Sequence, residues 1–349
     1  MLRKVIVFII SLFLFFSITV KSDAEDNISA SSAVVIDAAT KTVLYEKNAH
    51  YERAMASTTK IMTALIACES GRLGETVTIS EDMLKNTEGS SIYLKAGDAV
   101  TLYDLVLGAM IASGNDASNA IAVYLCGSLD AFLEHMNNKA QEIGMKNTVF
   151  ETPSGLDRNN HRSTAYDMAL LGAYAMENPD FSRVCALKSA DITVSGKTQT
   201  LYNHNKLLSR SEHFSGIKTG YTIKAGRCLV SSYEYKCSRI ICVTLNAPDD
   251  WHDHAVLIKE AKTRYNNITE NRTIEINAVG SEKQTVCARY DYALAAIGVI
   301  SEKLYYYPFI YAPVNEGDII GTAEIYCENK LVLTVNIFAS ENIERLTEV

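Results

Sequence analysis

The spacing of hydrophobic and polar positions changes twice along the chain. Ala33-Val34-Val35-Ile36-Asp37 and Thr42-Val43-Leu44-Tyr45-Glu46 are short apolar-rich runs on either side of a polar turn, which predicts a β-hairpin. From Thr58 to Glu69 the residues Ile61, Met62, Ala64, Leu65, Ala67 and Cys68 cover most of a helix circumference, so this helix is expected to be buried centrally. Thr101, with Asp104 three positions on, has the spacing of a helix cap and predicts a helix over Leu102–Ile111. Further helices are predicted over Ala117–Leu125, Leu129–Ile143 and Thr164–Met176, and the whole stretch reads as an all-helical insertion.

From Asp191 the period shortens. Ser215–Thr222, Cys228–Tyr235 and Arg239–Leu245 alternate or run apolar, with a tight turn near Lys236, and Ala255–Tyr265 reads as a closing helix. A hairpin first, helices in the middle and a meander last predict one α/β (α+β) unit with an antiparallel sheet, whose first strands return to pair with its last. Beyond it, Thr273–Ala278, Gln284–Ala288, Ile319–Cys327 and Leu331–Ile337 predict short strands, the last two joined at Glu328-Asn329. Tyr305, Tyr306, Tyr307 and Tyr311 are read as paving the core and rim of this small β-sandwich. The resulting division is 1–24 as an export segment, 25–270 as the α/β unit and 271–349 as the β-rich unit.

Composition narrows the class. With 349 residues, 48% hydrophobic, and only 18 Gly and 5 Pro, the chain is no collagen, repeat array or disordered polymer and has room for about two domains. The net charge is −8 and no Lys/Arg cluster tracks a phosphate backbone, so nucleic acid is not an expected partner. Arg3 and Lys4 ahead of the apolar run Val5–Val20, with Ser22 and Ala24 as small residues, predict a signal peptide cleaved after Ala24 and an extracytoplasmic protein. The alternative is an uncleaved signal anchor giving weak membrane association, although the run falls short of the roughly 20 residues that span a bilayer.

Eight cysteines in an exported chain raise the question of disulfides. Several sit inside apolar runs, as in Ile240-Ile241-Cys242-Val243, and no C-x-x-C spacing occurs, so most read as small buried hydrophobes. A Cys228–Cys242 or Cys228–Cys237 pair across a hairpin stays open. The sequons at Asn27, Asn267 and Asn271 matter only in a eukaryotic secretory host.

Ser57-Thr58-Thr59-Lys60 places a hydroxyl and an amine three residues apart at the start of the buried helix, on one face and at its positive end. A serine attacks only when a neighbouring base takes its proton, and a lysine is such a base only when burial or another cation lowers its pKa. The tetrapeptide alone carries little weight, because Ser215-Gly216-Ile217-Lys218 fits the same pattern. Ser113-Gly114-Asn115 lies in a helix break, where two short polar side chains either face a cleft or simply cap a helix. Lys218-Thr219-Gly220 falls on a predicted strand, either as a cation and hydroxyl beside a glycine that admits a substrate backbone, or as an ordinary edge lysine. S-x-x-K at a helix start, S-x-N in a helix break and K-T-G on a strand, all in one chain, form a joint signal far stronger than any member.

These motifs resemble those of the low-molecular-mass penicillin-binding proteins, specifically the serine-type D-alanyl-D-alanine carboxypeptidases of peptidase family S11. The resemblance covers nearly the whole mature chain, through Ala56–Thr63, Ser113–Asn115, Gly155–Ala169 and Gly216–Thr222; Ala312-Pro313-Val314 with Gly317, Asp318 and Gly321 is similar to that family's second, β domain. It implies a β-lactamase/transpeptidase-like catalytic domain and removal of the terminal D-alanine from peptidoglycan pentapeptide stems. By the same resemblance Ser57 is the nucleophile, Lys60 the general base, Ser113 a proton relay and Asn115 a ligand of Lys60 and of the substrate amide. Lys218 and Thr219 bind the terminal carboxylate, Gly220 and Tyr221 are further substrate-binding positions, and the N–H groups of Ser57 and Tyr221 form an oxyanion hole. β-Lactams are implied as covalent inhibitors, and no metal or other cofactor is expected. Asn203-His204-Asn205 departs from the pattern, since some relatives carry Arg where His204 stands; His204 is read either as its protonated substitute or as a structural residue. The short acidic stretch after Ile337 does not read as the amphipathic membrane helix of many members.

Competing chemistries have weaker support. His252-Asp253-His254 beside Asp249 and Asp250 suggests a metal, but without H-E-x-x-H or distant ligands the segment reads as a polar loop before a helix. His161 and His135 have still less context. A β-lactamase needs a base for rapid deacylation, and no glutamate stands in a comparable E-x-x-x-N setting, Glu177-Asn178 lying past the helix end. A non-catalytic wall-binding scaffold would have no use for the intact set Ser57, Lys60, Ser113, Asn115 and Lys218.

Overall fold

The computed structural model describes residues 28–346, so the export segment expected over Met1–Ala24 lies outside the described residues. β1 (Ser32–Asp37) and β2 (Val43–Lys47) form the predicted hairpin, with Asp37 Oδ1 accepting the N–H groups of Ala39 and Thr40 in the turn. A 3₁₀ turn at Ala56–Thr59 then leads into α1 (Lys60–Glu69), which is buried from Lys60 to Cys68 as its all-round apolar surface requires. Ser57 therefore sits in a tighter turn than the predicted helix start implied.

β3 (Thr76–Thr78), β4 (Ala99–Thr101), α2 (Leu102–Met110), α3 (Asn115–Cys126) and α4 (Leu129–Ile143) follow. The predicted cap at α2 is present: Thr101 Oγ1 accepts the N–H of Asp104 at 3.0 Å. α5 (Ala165–Ala175) is capped in the same way by Thr164. α6 (Pro179–Cys185) was not anticipated; Asn178 caps it and Pro179 sits in its first turn, where the missing N–H costs nothing. β5 (Ser189–Val194) and β6 (Lys197–Tyr202) join β3 and β4 in a four-stranded sheet of order β3-β4-β5-β6. The insertion is thus not all-helical, because strands as short as β3 and β4 give no readable alternation.

After α7 (Leu207–Arg210), the strands β7 (Phe214–Thr222), β8 (Gly226–Tyr235) and β9 (Ser238–Leu245) complete a five-stranded sheet of order β2-β1-β9-β8-β7. β1 lies antiparallel to β9 with Val34 opposite Val243, so the first strands do return to the last, and β7 is left as an edge. Both faces of this sheet are covered. Val34 and Ile36 point into the core of α1, α2 and α5, while Ala33 and Val35 point to Leu257, Ile258 and Ala261 of α8 (Asp250–Lys262). Burial on both faces explains why β1 and β9 read as continuous apolar runs. α8 begins five residues before the predicted Ala255, so His252-Asp253-His254 lies inside the helix and not in a loop.

β10 (Asn266–Val279), β11 (Thr285–Ala296), β12 (Ile300–Tyr306), β13 (Phe309–Tyr311), β14 (Ile319–Cys327) and β15 (Lys330–Ala339) make an all-β region with strand order β12-β14-β15-β11-β10-β13. Its core is Val286, Ala288, Tyr290, Ala323, Ile325 and Ile337. The tyrosines read as paving core and rim all lie at the rim: Tyr307 is 77% and Tyr311 70% accessible, and with Tyr305 and Tyr306 they line two shallow apolar clefts. The reason is position, since β12 and β13 are the two edges of the sheet. All eight thiols are free. The register places Cys228 opposite Gly220 and Cys242 opposite Ser231, which leaves neither hairpin disulfide formed.

Candidate active site

Ser57 sits in the 3₁₀ turn that feeds α1, and the turn is tied down by its own hydroxyls. Thr58 Oγ1 donates to the carbonyl of Met55 and Thr59 Oγ1 to that of Ala56, which carries a positive φ of 49°. His161 braces the same turn. The N–H of Glu151 donates to its Nδ1 at 3.0 Å, which makes Nε2 the protonated nitrogen, and Nε2 lies 2.8 Å from Thr59 Oγ1. Burial lowers the His161 pKa to about 4, so the imidazole is held neutral.

One helical turn on, Lys60 is completely buried. Its Nζ lies 3.0 Å from Ser57 Oγ, 2.8 Å from Asn115 Oδ1 and 2.6 Å from the carbonyl of Ser154. Burial, and then the charge of Lys218, holds its pKa well below the usual lysine value, with Asp116 opposing them. A neutral amine has two N–H donors and one lone pair. The amide oxygen and the carbonyl can only accept, so they take the two N–H bonds and leave the lone pair facing the Ser57 hydroxyl.

Asn115 opens α3, and its side chain does not cap the helix. It accepts from Lys60 and donates through Nδ2 to the carbonyl of Glu88 at 2.6 Å. Ser113, two residues earlier, has a φ of 62° in the helix break and lines the same cleft as Ser57. Asp116 fixes the opposite wall by accepting the N–H groups of Ile92 and Leu94 and the Ser91 hydroxyl.

β7 forms the other side. A Cβ on Gly220 would lie 2.9 Å from the backbone nitrogen of Ser57, so only glycine lets the strand run this close to the turn. Thr219, Gly220 and Tyr221 line the cleft, which has a volume of about 320 Å³, and Tyr221 is 66% exposed at its mouth. Lys218 is buried, and its Nζ donates to the carbonyl of Thr219 at 3.0 Å. Burial brings its pKa down to about 7. His204 does line the cleft, with a pKa lowered by partial burial and then by Lys218, which disfavours the protonated form.

The fold therefore gathers Ser57, Ser113, Thr219, Gly220 and Tyr221 around one cleft, with Lys60, Asn115 and Lys218 buried beside it. The second S-x-x-K match builds nothing comparable, because Ser215 Oγ is hydrogen-bonded to the Ser232 hydroxyl and the Glu234 carboxylate on β8. His254 is buried between the hydroxyls of Ser231 and Thr244, Asp253 binds Ser29, and no cluster suited to a metal occurs among the described residues. Sequence reasoning missed the Ser154 carbonyl, the His161 brace, and the trio Arg227, Asp250 and Trp251 at the cleft mouth. A backbone acceptor has no side-chain signature, and the other contacts join segments far apart in sequence.

Residues 19–249 match the family model described as D-alanyl-D-alanine carboxypeptidase, and residues 297–345 match penicillin-binding protein 5, C-terminal domain. D-alanyl-D-alanine carboxypeptidase DacF of Bacillus subtilis (strain 168) is 37% identical over 62% of this chain, and the match spans 57% of that relative. DacC of Escherichia coli (strain K12) is 30% identical over 96% of this chain and 90% of its own length. The crystal structure of the D-alanyl-D-alanine carboxypeptidase DacD from Francisella tularensis superposes with a TM-score of 0.62 and 26% identity, covering 91% of this chain and 94% of that one. The chain belongs to the Peptidase_S11 family of D-alanyl-D-alanine carboxypeptidases.

Proposed function

We propose that the protein is a serine-type D-Ala-D-Ala carboxypeptidase that trims peptidoglycan pentapeptide stems and is acylated by β-lactams. The observation that carries this reading is the buried Lys60 amine, whose two pure acceptors, Asn115 Oδ1 and the Ser154 carbonyl, leave its lone pair for Ser57. Ser57 Oγ attacks the penultimate D-alanine carbonyl as its proton passes to Lys60. The N–H groups of Ser57 and Tyr221 hold the oxyanion, a role supported by the close approach of Gly220 to Ser57. The peptide C–N bond then breaks, Ser113 relays a proton to the leaving amine, and D-alanine departs. Water hydrolyses the ester, returning Ser57 and free acid. Asn115 holds both Lys60 and the substrate amide, while Thr219, with the charge of Lys218 behind it, faces the terminal carboxylate.

We assign this chemistry to residues 25–270 and regard 271–349 as a β-rich unit without chemistry of its own. The apolar, positively flanked N-terminus supports export, so the enzyme would work on the outer face of the membrane or in the wall. Incubation with a diacetyl-Lys-D-Ala-D-Ala peptide and a fluorescent penicillin tests the reading. D-alanine release together with a long-lived label on Ser57 is expected; neither event would overturn it. Rapid turnover of the penicillin would instead indicate a β-lactamase, and label without peptide cleavage a binding protein.

A further inference from the structure

Lys218 is the cation that the resemblance assigns to the substrate carboxylate; it is buried, with its amine on the Thr219 carbonyl. The charged groups that line the cleft are Lys206, Arg227 and Asp250. Arg227 is the one that is fixed. It stands on β8 directly opposite Tyr221 of β7, on the same face as Thr219, since alternate residues share a face. Its Nη2 donates to Asp250 Oδ1 at 2.7 Å, and its guanidinium lies over the Trp251 ring, 5.5 Å from the centroid. Asp250 is only 3% exposed at its side chain, whereas that of Arg227 is 42% exposed. The pair is thus a cation anchored at its rear and open to solvent at its front. The guanidinium is a planar fork of donors whose geometry matches a carboxylate.

From this geometry, and resting on the reading that the enzyme acts on peptides with a free C-terminus, we infer that Arg227 is a specificity residue that binds the terminal carboxylate of the substrate. Asp250 and Trp251 are its positioning residues, and Thr219 adds a hydroxyl from the same face. The arrangement supplies a fixed cation where Lys218 is buried and where His204, at the position of an arginine in some relatives, is held towards its neutral form.

The test compares kcat/KM for a D-Ala-D-Ala peptide with a free C-terminal acid and for its C-terminal carboxamide, in the wild type and in R227Q and R227K. Charge-assisted hydrogen bonds of this kind lead us to expect R227Q to lose about 50-fold on the acid. On the amide it should change little, so the wild-type preference for the acid collapses, and R227K, which keeps the charge but not the fork, should restore part of it. An equal loss on both peptides, or an unchanged preference, would overturn the assignment, as would an R227K enzyme that keeps its fold by thermal melt yet loses activity on both alike. R227K also decides the matter should R227Q fail to fold. A wild type that releases D-alanine from neither peptide would instead sink the carboxypeptidase reading, and this inference with it.

Discussion

Gly155 faces the carbonyl of Ala56 so closely that a Cβ on it would lie 2.0 Å from that oxygen, and its φ of 89° is one that side chains rarely adopt. The residue before it supplies the carbonyl that binds Lys60, and the residue after Ala56 is Ser57. Contact between these two backbones sets where the amine and the hydroxyl meet.

Replacing Gly155 with alanine should therefore damage both stability and chemistry. Left-handed strain and a clash with backbone together predict a loss of roughly 2 kcal/mol or more. The remaining folded protein should acylate far more slowly. Urea unfolding and labelling with a fluorescent penicillin check this; a variant with wild-type labelling would show that the turn tolerates displacement.

Ser57→Ala should abolish both labelling and D-alanine release with little effect on the melting temperature. Asn115→Ala should be milder in chemistry, lowering kcat by roughly 100-fold, the scale on which a positioned polar partner acts. It also leaves the Glu88 carbonyl and one Lys60 donor unpaired, so a lower melting temperature is expected. Retained labelling in Ser57→Ala would place the nucleophile elsewhere.

The acylation rate should rise with pH as Lys60 loses its proton, because only the neutral amine accepts one from Ser57. Its lowered pKa places that limb far below the range of an ordinary lysine. Lys218→Met removes a neighbouring cation, so Lys60 should hold its proton more tightly and the limb should move to higher pH. A limb that stays in place in a folded Lys218→Met enzyme would mean that burial alone sets the Lys60 pKa.

Two buried imidazoles make stability fall in acid. His161 and His254 have pKa values lowered by burial to about 4 and about 3, against roughly 6.5 in an unfolded chain. The unfolded state therefore takes up protons first, and their contribution, complete above about 6.5, is lost as pH falls towards the folded values. Urea denaturation at a series of pH values should show this slope, and His254→Gln should flatten it. An unchanged slope would assign the acid sensitivity to other groups.

Much of this was legible in the chain because it rests on short-range patterns. The continuous apolar run of β1, the all-round apolar α1 and the Thr101 cap each follow from neighbouring residues, as do the three motifs that mark the family. Ser57 and Lys60 are three apart, so a single helical turn joins them wherever the helix lies.

Tertiary structure decided what depends on distant segments meeting. The lone pair of Lys60 points at Ser57 because Asn115 and the Ser154 carbonyl, far along the chain, take its N–H groups. Lys218 is buried on β7, a fate its sequence position could not reveal, and Tyr307 and Tyr311 are exposed because sheet order makes β12 and β13 edges. Arg227 became a candidate only when strand register set it opposite Tyr221 and α8 brought Asp250 and Trp251 beneath it. Sequence by itself determined which groups are present and their local spacing; burial and long-range contact determined which are charged, which are reachable and which face one another.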